Sequence, residues 1–226
     1  MLQDPSAIRT AYPDQVSVLK IPFLPEGGPQ PALTLQPISQ EPWPAFRDAR
    51  ASAAFSIAYD ATGIHLYFVV CEPFLRASKR PPNAEVHHDN CVEFFIALDN
   101  TGGYYNFEFN CMGSIKAAYG PNRHQRSFLP ETVLRGISDQ LSISLHNLAE
   151  HRYPRWEICA VIPLDAFVHH PQLQLPGLQC TANFAKCGDE LPEPHFKSWM
   201  PIQSATPDFH QPEAFGSIVF EPPYEP

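Results

Sequence analysis

Residues 89–120 read DNCVEFFIALDNTGGYYNFEFNCMGSIKAAYG, and this stretch decides the fold. It predicts two β-hairpins in succession. Strand Cys91–Leu98 turns over Asp99-Asn100-Thr101-Gly102-Gly103 into strand Tyr104–Cys111. A second turn at Met112-Gly113 leads into Ser114–Tyr119. Short loops rich in Asn, Asp and Gly join antiparallel neighbours, so three sequential strands of one sheet are expected.

Side-chain alternation assigns the faces. Tyr105, Phe107, Phe109 and Cys111 form an apolar row that must be core, while Tyr104, Asn106, Glu108 and Asn110 point the other way. Amides and a carboxylate in one line are costly to bury without partners. The preceding strand is apolar on both faces except for Glu93. If its row Cys91, Glu93, Phe95, Ala97 shares the polar face, Glu93 and Glu108 become neighbours; the register that decides this is not in the sequence.

Outward from this stretch, Ala54–Tyr59 and Ile64–Cys71 form another hairpin around Asp60-Ala61-Thr62-Gly63. Thr132–Ile137 and Leu141–Leu145 read as a further strand pair, followed by strands at Trp156–Ile162, Gln179–Phe184 and Ser217–Phe220. Pro163–Phe167 reads as a short helical turn with proline in its first turn. Residues 1–44 hold nine of the 26 prolines and predict an extended wrap, with edge strands at Val16–Leu19 and Leu33–Leu35. About ten short strands punctuated by turns make an all-β, two-sheet antiparallel β-sandwich, jelly-roll-like, with short helical turns. At 226 residues the chain is read as a single domain, 1–226.

Composition narrows the functions. A formal charge of −9 argues against a nucleic-acid backbone as partner. No apolar run is long enough to span a membrane. Met1-Leu2-Gln3-Asp4-Pro5 lacks the basic start and apolar core of a signal peptide, which predicts a cytoplasmic protein if Met1 is the natural start, and an extracellular or periplasmic one if a leader was trimmed. Most of the six cysteines lie in or beside apolar strand patterns, so all six are expected as free thiols.

Family resemblance rests on Asp89-x-x-x-Glu93-Phe94-Phe95-Ile96 and Tyr105-x-Phe107-Glu108-Phe109-Asn110-x-x-Gly113. Tyr59-Asp60-x-x-Gly63-Ile64-x-Leu66, Ile162-Pro163-Leu164 and the segment from Asn183 to Gly216 extend it. These resemble the family 9 carbohydrate-binding modules, and more closely the family 9-like proteins related to them. The resemblance implies non-catalytic binding of carbohydrate, the terminal sugar of an oligo- or polysaccharide, on the polar face of one sheet, with a place in carbohydrate catabolism. It implies that Glu93, Glu108 and Asn183 hydrogen-bond the sugar, and that Lys116 or Arg123 supplies a cation. His87 and Lys186 stand where the family's two clamping tryptophans stand, so the aromatic clamp is missing. Asn106 and Asn110 complete the polar row. Trp199 is either a stacking indole or a core residue.

Some family members hold structural calcium, and Asp60, Asp89, Asp99 and Asp189 are loop oxygens of the right type. Two alternatives stay open: a glycoside hydrolase using Glu93 and Glu108, and a haem-binding sandwich of the DOMON type using Met112, His87 and His124. A protein partner on the polar face stays open as well. The loop Pro73–Val86 is expected to border the ligand cleft because it feeds directly into Asp89 and the Glu93 strand.

Overall fold

The computed structural model describes residues 18–27, 31–148 and 151–223. Its strands are β1 (Leu19–Ile21), β2 (Gln36–Pro37), β3 (Ser52–Tyr59), β4 (Gly63–Cys71), β5 (Cys91–Ala97), β6 (Tyr104–Asn110) and β7 (Ile115–Gly120). They continue as β8 (Ser127–Phe128), β9 (Ser138–Leu148), β10 (His151–Pro163), β11 (Gln179–Cys187), β12 (Phe196–Ser198) and β13 (Gly216–Phe220). One sheet runs β1-β13-β11-β5-β6-β7-β8, with β12 also paired to β11, and the other runs β2-β3-β4-β10-β9. The expected sandwich is present, with one exception to its antiparallel pairing: β1 lies parallel to β13.

The interior face follows from alternation. Val92, Phe94 and Ile96 of β5, Tyr105, Phe107 and Phe109 of β6 and Phe184 of β11 are buried against Phe55, Phe68, Trp156 and Ile158 of the second sheet. Phe184 stacks on Phe55 at 3.5 Å between ring centroids, joining the two sheets. At Gly113 the chain takes φ 67°, the left-handed region a tight turn between β6 and β7 needs and most side chains avoid. A Cβ there would also strike the Asp139 carboxylate.

The opposite face of the large sheet is covered too. Cys91, Phe95, Tyr104, Ala185 and Cys187 are buried under Trp43, Phe196, Ile202, Phe209 and Phe215. The row Tyr104, Asn106, Glu108 and Asn110 therefore lies beneath the segment running from β12 to β13. This accounts for a β5 strand that is apolar on both sides.

Three sequence expectations are corrected. Thr132–Ile137 is not a strand: a four-residue helix, α1 (Glu131–Leu134), follows Pro130, and β9 pairs with β10 instead. The β-branched Thr132-Val133 pair imitates a strand in sequence, but proline at the helix entrance fixes φ where a turn can start. Leu33–Leu35 forms no strand; the edge strand begins at Gln36. The strand expected at Val16–Leu19 begins at Leu19, and Val16 and Ser17 lie outside the described residues.

Among the described residues no helix is long and apolar enough to cross a membrane. All six cysteines are free, although Cys159 is exposed rather than packed in an apolar setting.

Candidate functional site

Register builds the site as a grid on the outer face of the large sheet. Ala185, Glu93, Glu108 and Lys116 lie directly opposite one another across β11, β5, β6 and β7. The next row is Asn183, Phe95, Asn106, Ala118 and Phe128. A third row holds Phe196, Cys187, Cys91 and Asn110. Glu93 and Glu108 are thus a cross-strand pair, the register the sequence left open.

Above this grid lies a cavity of about 350 Å³, at the small end of ligand pockets. Glu93, Asn106, Glu108, Lys116 and Ala118 line its floor. Its walls come from loops: Glu85 and His87 before β5, Arg123, His124 and Arg126 after β7, Asp189 after β11, and Pro207–His210. Apolar contact is supplied by Phe128, Phe196 and Phe209. Phe196 and Phe209 are largely buried, whereas Phe128 is 56% exposed on the rim strand β8.

A hydrogen-bonded chain orients the floor. The Arg126 guanidinium donates to Asn106 Oδ1 at 2.7 Å, and to the carbonyls of Tyr104, Ala118 and Gly120. Its cation rests 4.4 Å above the centre of the Tyr104 ring. Asn106 Nδ2 donates onward to Glu108 Oε1 at 2.8 Å. Lys116 donates to Glu85 at 2.9 Å and stands 3.8 Å from Glu108 Oε1. The other oxygen, Glu108 Oε2, is buried with no hydrogen-bond partner; its nearest cation is His87 Nδ1 at 3.5 Å. A buried carboxylate oxygen held by so long a contact keeps capacity to accept from a donor in the cavity.

The electrostatics divide the two glutamates. Burial, and then the Glu108 charge opposite, push the Glu93 carboxyl up to about 8, so it is protonated at neutral pH. It accepts from Cys187 Sγ at 3.3 Å. Burial opposes charge on His87, but the Glu108 and Glu93 carboxylates beside it raise its pKa above the ordinary histidine value. Burial, reinforced by Arg126 and Arg123, pushes His210 down to about 3, leaving a neutral ring that meets the Tyr104 hydroxyl at 2.9 Å.

Of the ten residues singled out from sequence, His87, Glu93, Asn106, Glu108, Lys116 and Arg123 line this cavity. The other four do not. Asn110 turns its amide to the Ser78 carbonyl and to Asp89, and its Oδ1 accepts from Met112 and Ser114, holding the β6–β7 turn. Asn183 Oδ1 accepts from the amides of Phe184 and Met200. Lys186 lies on the opposite face from Asn183, as its even position in β11 requires. There, with no exposed side-chain surface, it meets Glu72 Oε2 at 2.8 Å, beside His195 and the Trp156 indole. Trp199, partly buried, packs edge-on against the core rings Phe55 and Phe184.

The sequence reading missed Arg126, Phe128 and His210 as cavity residues and named Asp189 only as a calcium donor. Arg126 and Phe128 share the Pro121–Pro130 segment, whose sequence carries no periodic signal for either. Within the loop Pro73–Val86, Glu85 alone lines the cavity; Lys79, Arg80 and Asn83 instead staple it to β7 and its flanks.

Three of the four aspartates considered for calcium already have protein partners. Asp60 is engaged by Thr62, Gly63 and His65, Asp89 by Arg80, Arg76 and Asn110, and Asp99 by Thr101 and His170. Asp189 stands apart in the cavity wall. Among the described residues these oxygens are not gathered at one point, as six or more calcium ligands must be. The haem pair is not assembled either: Met112 packs on the interior cluster, while His87 and His124 line the cavity on the other side of the sheet.

Three comparisons bear on this geometry. A sequence model described as carbohydrate-binding family 9 matches residues 24–220. A Bacteroides uniformis ATCC 8492 protein, described as a candidate carbohydrate-binding protein, is 31% identical, with TM-score 0.78 over 90% of this chain and 99% of its own. A family 9 module from Caldicellulosiruptor kristjanssonii, solved with cellotriose, is similar in fold at 12% identity and TM-score 0.50, over 92% of this chain and 96% of its own. The same organism's family 9 module with glucose gives 11% identity and TM-score 0.52, over 93% and 98%. No curated protein matches the chain.

Proposed function

The chain belongs to carbohydrate-binding family 9 and binds carbohydrate without catalysis, and we propose that it holds the terminal sugar of an oligo- or polysaccharide in the cavity over Glu93, Asn106, Glu108 and Lys116. The observation that carries this reading is Glu108 Oε2, buried on the cavity floor with a long 3.5 Å contact to His87 Nδ1. A sugar hydroxyl is a neutral donor that satisfies such an oxygen without adding charge. Asn106, Lys116 and His87 stand around the same point and offer further polar partners.

Phe128 takes the place of the absent tryptophan clamp. Its exposed ring at the rim gives a sugar an apolar face to cover, worth about 1–2 kcal/mol when half the ring is buried. A cavity of this size closed by loops on several sides suits a chain end rather than a polymer laid lengthwise. The structures with cellotriose and with glucose support a glucan-type sugar as the first to try.

The paired glutamates do not favour hydrolysis. Glu93 and Glu108 rise side by side from one sheet face, whereas glycoside hydrolysis uses two carboxyls flanking the bond.

The test is calorimetric titration of wild type and Phe128→Ala with glucose, cellobiose and longer cello- and xylo-oligosaccharides. Binding that levels off after the first one or two units, weakened roughly tenfold by Phe128→Ala at an unchanged melting temperature, supports the reading. Affinity that keeps rising with length, or is indifferent to Phe128, contradicts it.

A further inference from the structure

Directly opposite residues on adjacent antiparallel strands point their side chains to the same face, and Cys187 of β11 lies opposite Cys91 of β5. Glu93 is two residues along β5 and so shares that face. The ligand atoms of Cys91, Cys187 and Glu93 all lie within 4.8 Å of one another. Cys187 Sγ is 3.3 Å from Glu93 Oε1. Metal–sulfur bonds of about 2.3 Å and metal–oxygen bonds of about 2.0–2.2 Å at tetrahedral angles set ligand atoms roughly 3.5–3.8 Å apart. The Cys187–Glu93 edge is already close to that length, and the other two lie within 4.8 Å.

We propose that Cys91, Cys187 and Glu93 form a site for one thiophilic divalent cation of the zinc class, three protein ligands with a fourth position open to the cavity. Two thiolates and one carboxylate select such a cation and reject calcium, which takes oxygen ligands in larger number. This goes beyond sugar binding and does not depend on it.

The surroundings are those of a built site. All three ligands are buried, on paired strands in the middle of the large sheet. Cys91 and Cys187 belong to one buried apolar cluster with Phe95, Phe196, Ala185 and Val86. Lys186 Nζ donates to the Cys187 carbonyl at 2.6 Å and so fixes the end of β11. Cys187 and Glu93 both line the cavity, which gives the ion a route in and a place for one retained water. On binding, the hydrated cation loses its other waters, the two thiol protons and the Glu93 proton pass to solvent, and three bonds to the protein form. The bound centre then carries one net negative charge, in a cavity lined by cations and acids alike.

The experiment uses the full chain, reduced and stripped with a chelator, then titrated anaerobically with Co²⁺ and with Zn²⁺. A thiolate-to-cobalt charge-transfer band that saturates at one equivalent is expected. Zinc-edge X-ray absorption should count two sulfur and two lighter neighbours. Cys91→Ser or Cys187→Ser should abolish the band, while Cys71→Ala, Cys159→Ala and Cys180→Ala should leave it. Glu93→Gln should weaken the metal at least tenfold and keep both sulfurs. A band that survives Cys91→Ser, a missing band, or a sulfur count other than two overturns the assignment. If the serine variants do not fold, the sulfur count on wild type decides by itself.

Discussion

Glu108→Gln separates binding from folding more sharply than any other substitution. Glutamine keeps the shape and leaves an oxygen to accept from Asn106, but it removes the charge from the cavity floor. A charge-assisted hydrogen bond is worth about 1.5–3 kcal/mol, so saccharide affinity should fall roughly tenfold to a hundredfold. Glu108 is 4% exposed, and on burial alone the folding cost would look large. Two terms oppose each other. The variant forfeits the attraction of Lys116 and His87, yet Lys116 keeps Glu85 as its direct partner, and the Glu108 charge that helps hold the Glu93 carboxyl protonated is removed. The net change in stability should stay below about 1 kcal/mol. His87 supplies an internal check: its pKa stands above the ordinary value because of the glutamates beside it, Glu108 first, so the variant should move it downward. Calorimetry, a melting curve and histidine NMR titration together read all three quantities. Unchanged affinity with a lowered His87 pKa would refute the reasoning, because the charge would then be shown absent and irrelevant.

Other outcomes follow from the residues the fold removed from the site. Lys186→Met leaves Glu72 buried with only the His195 ring and the Trp156 indole as side-chain partners among the described residues and should cost about 3–5 kcal/mol, read by chemical denaturation, with saccharide affinity per folded molecule unchanged. The surroundings of Glu72, which bear its burial cost through Lys186 and His195, hold its carboxyl down at about 2. A depressed carboxylate stabilises above its unfolded pKa, near 4.3, and that contribution, on the order of 3 kcal/mol, is lost as pH falls from there toward 2. Glu72→Gln should flatten stability across that window in acid-unfolding curves. Trp199→Ala should destabilise by about 3 kcal/mol through lost packing on Phe55 and Phe184, and a loss of sugar affinity larger than twofold would return the indole to the site.

The sheet was legible in the chain because alternation and turn chemistry agree from Cys91 to Gly120. The Phe107–Phe109 row and the Asn106–Glu108 row could be sorted onto faces from period two alone. The same rule, applied to β11, puts Asn183 and Lys186 on opposite faces, so their pairing by family position could not survive the strand geometry. Loops carry what the sequence hid. Residues from β12 to β13 fold over the polar row and bury it, and nothing local in Pro207-Asp208-Phe209-His210 announces that partner. Phe128 occupies a two-residue strand, too short for a periodic signal, yet it is the exposed ring beside the cavity. Glu93 and Glu108 looked equivalent in sequence; burial and mutual repulsion make one of them an acid at neutral pH.

The most direct measurement is a crystal structure of the protein with the tightest-binding saccharide found by titration. The account predicts a terminal sugar ring in the cavity, one face against Phe128, with a hydroxyl within hydrogen-bond distance of Glu108 Oε2. A saccharide bound elsewhere, or one in the cavity that leaves Glu108 Oε2 untouched, would contradict it.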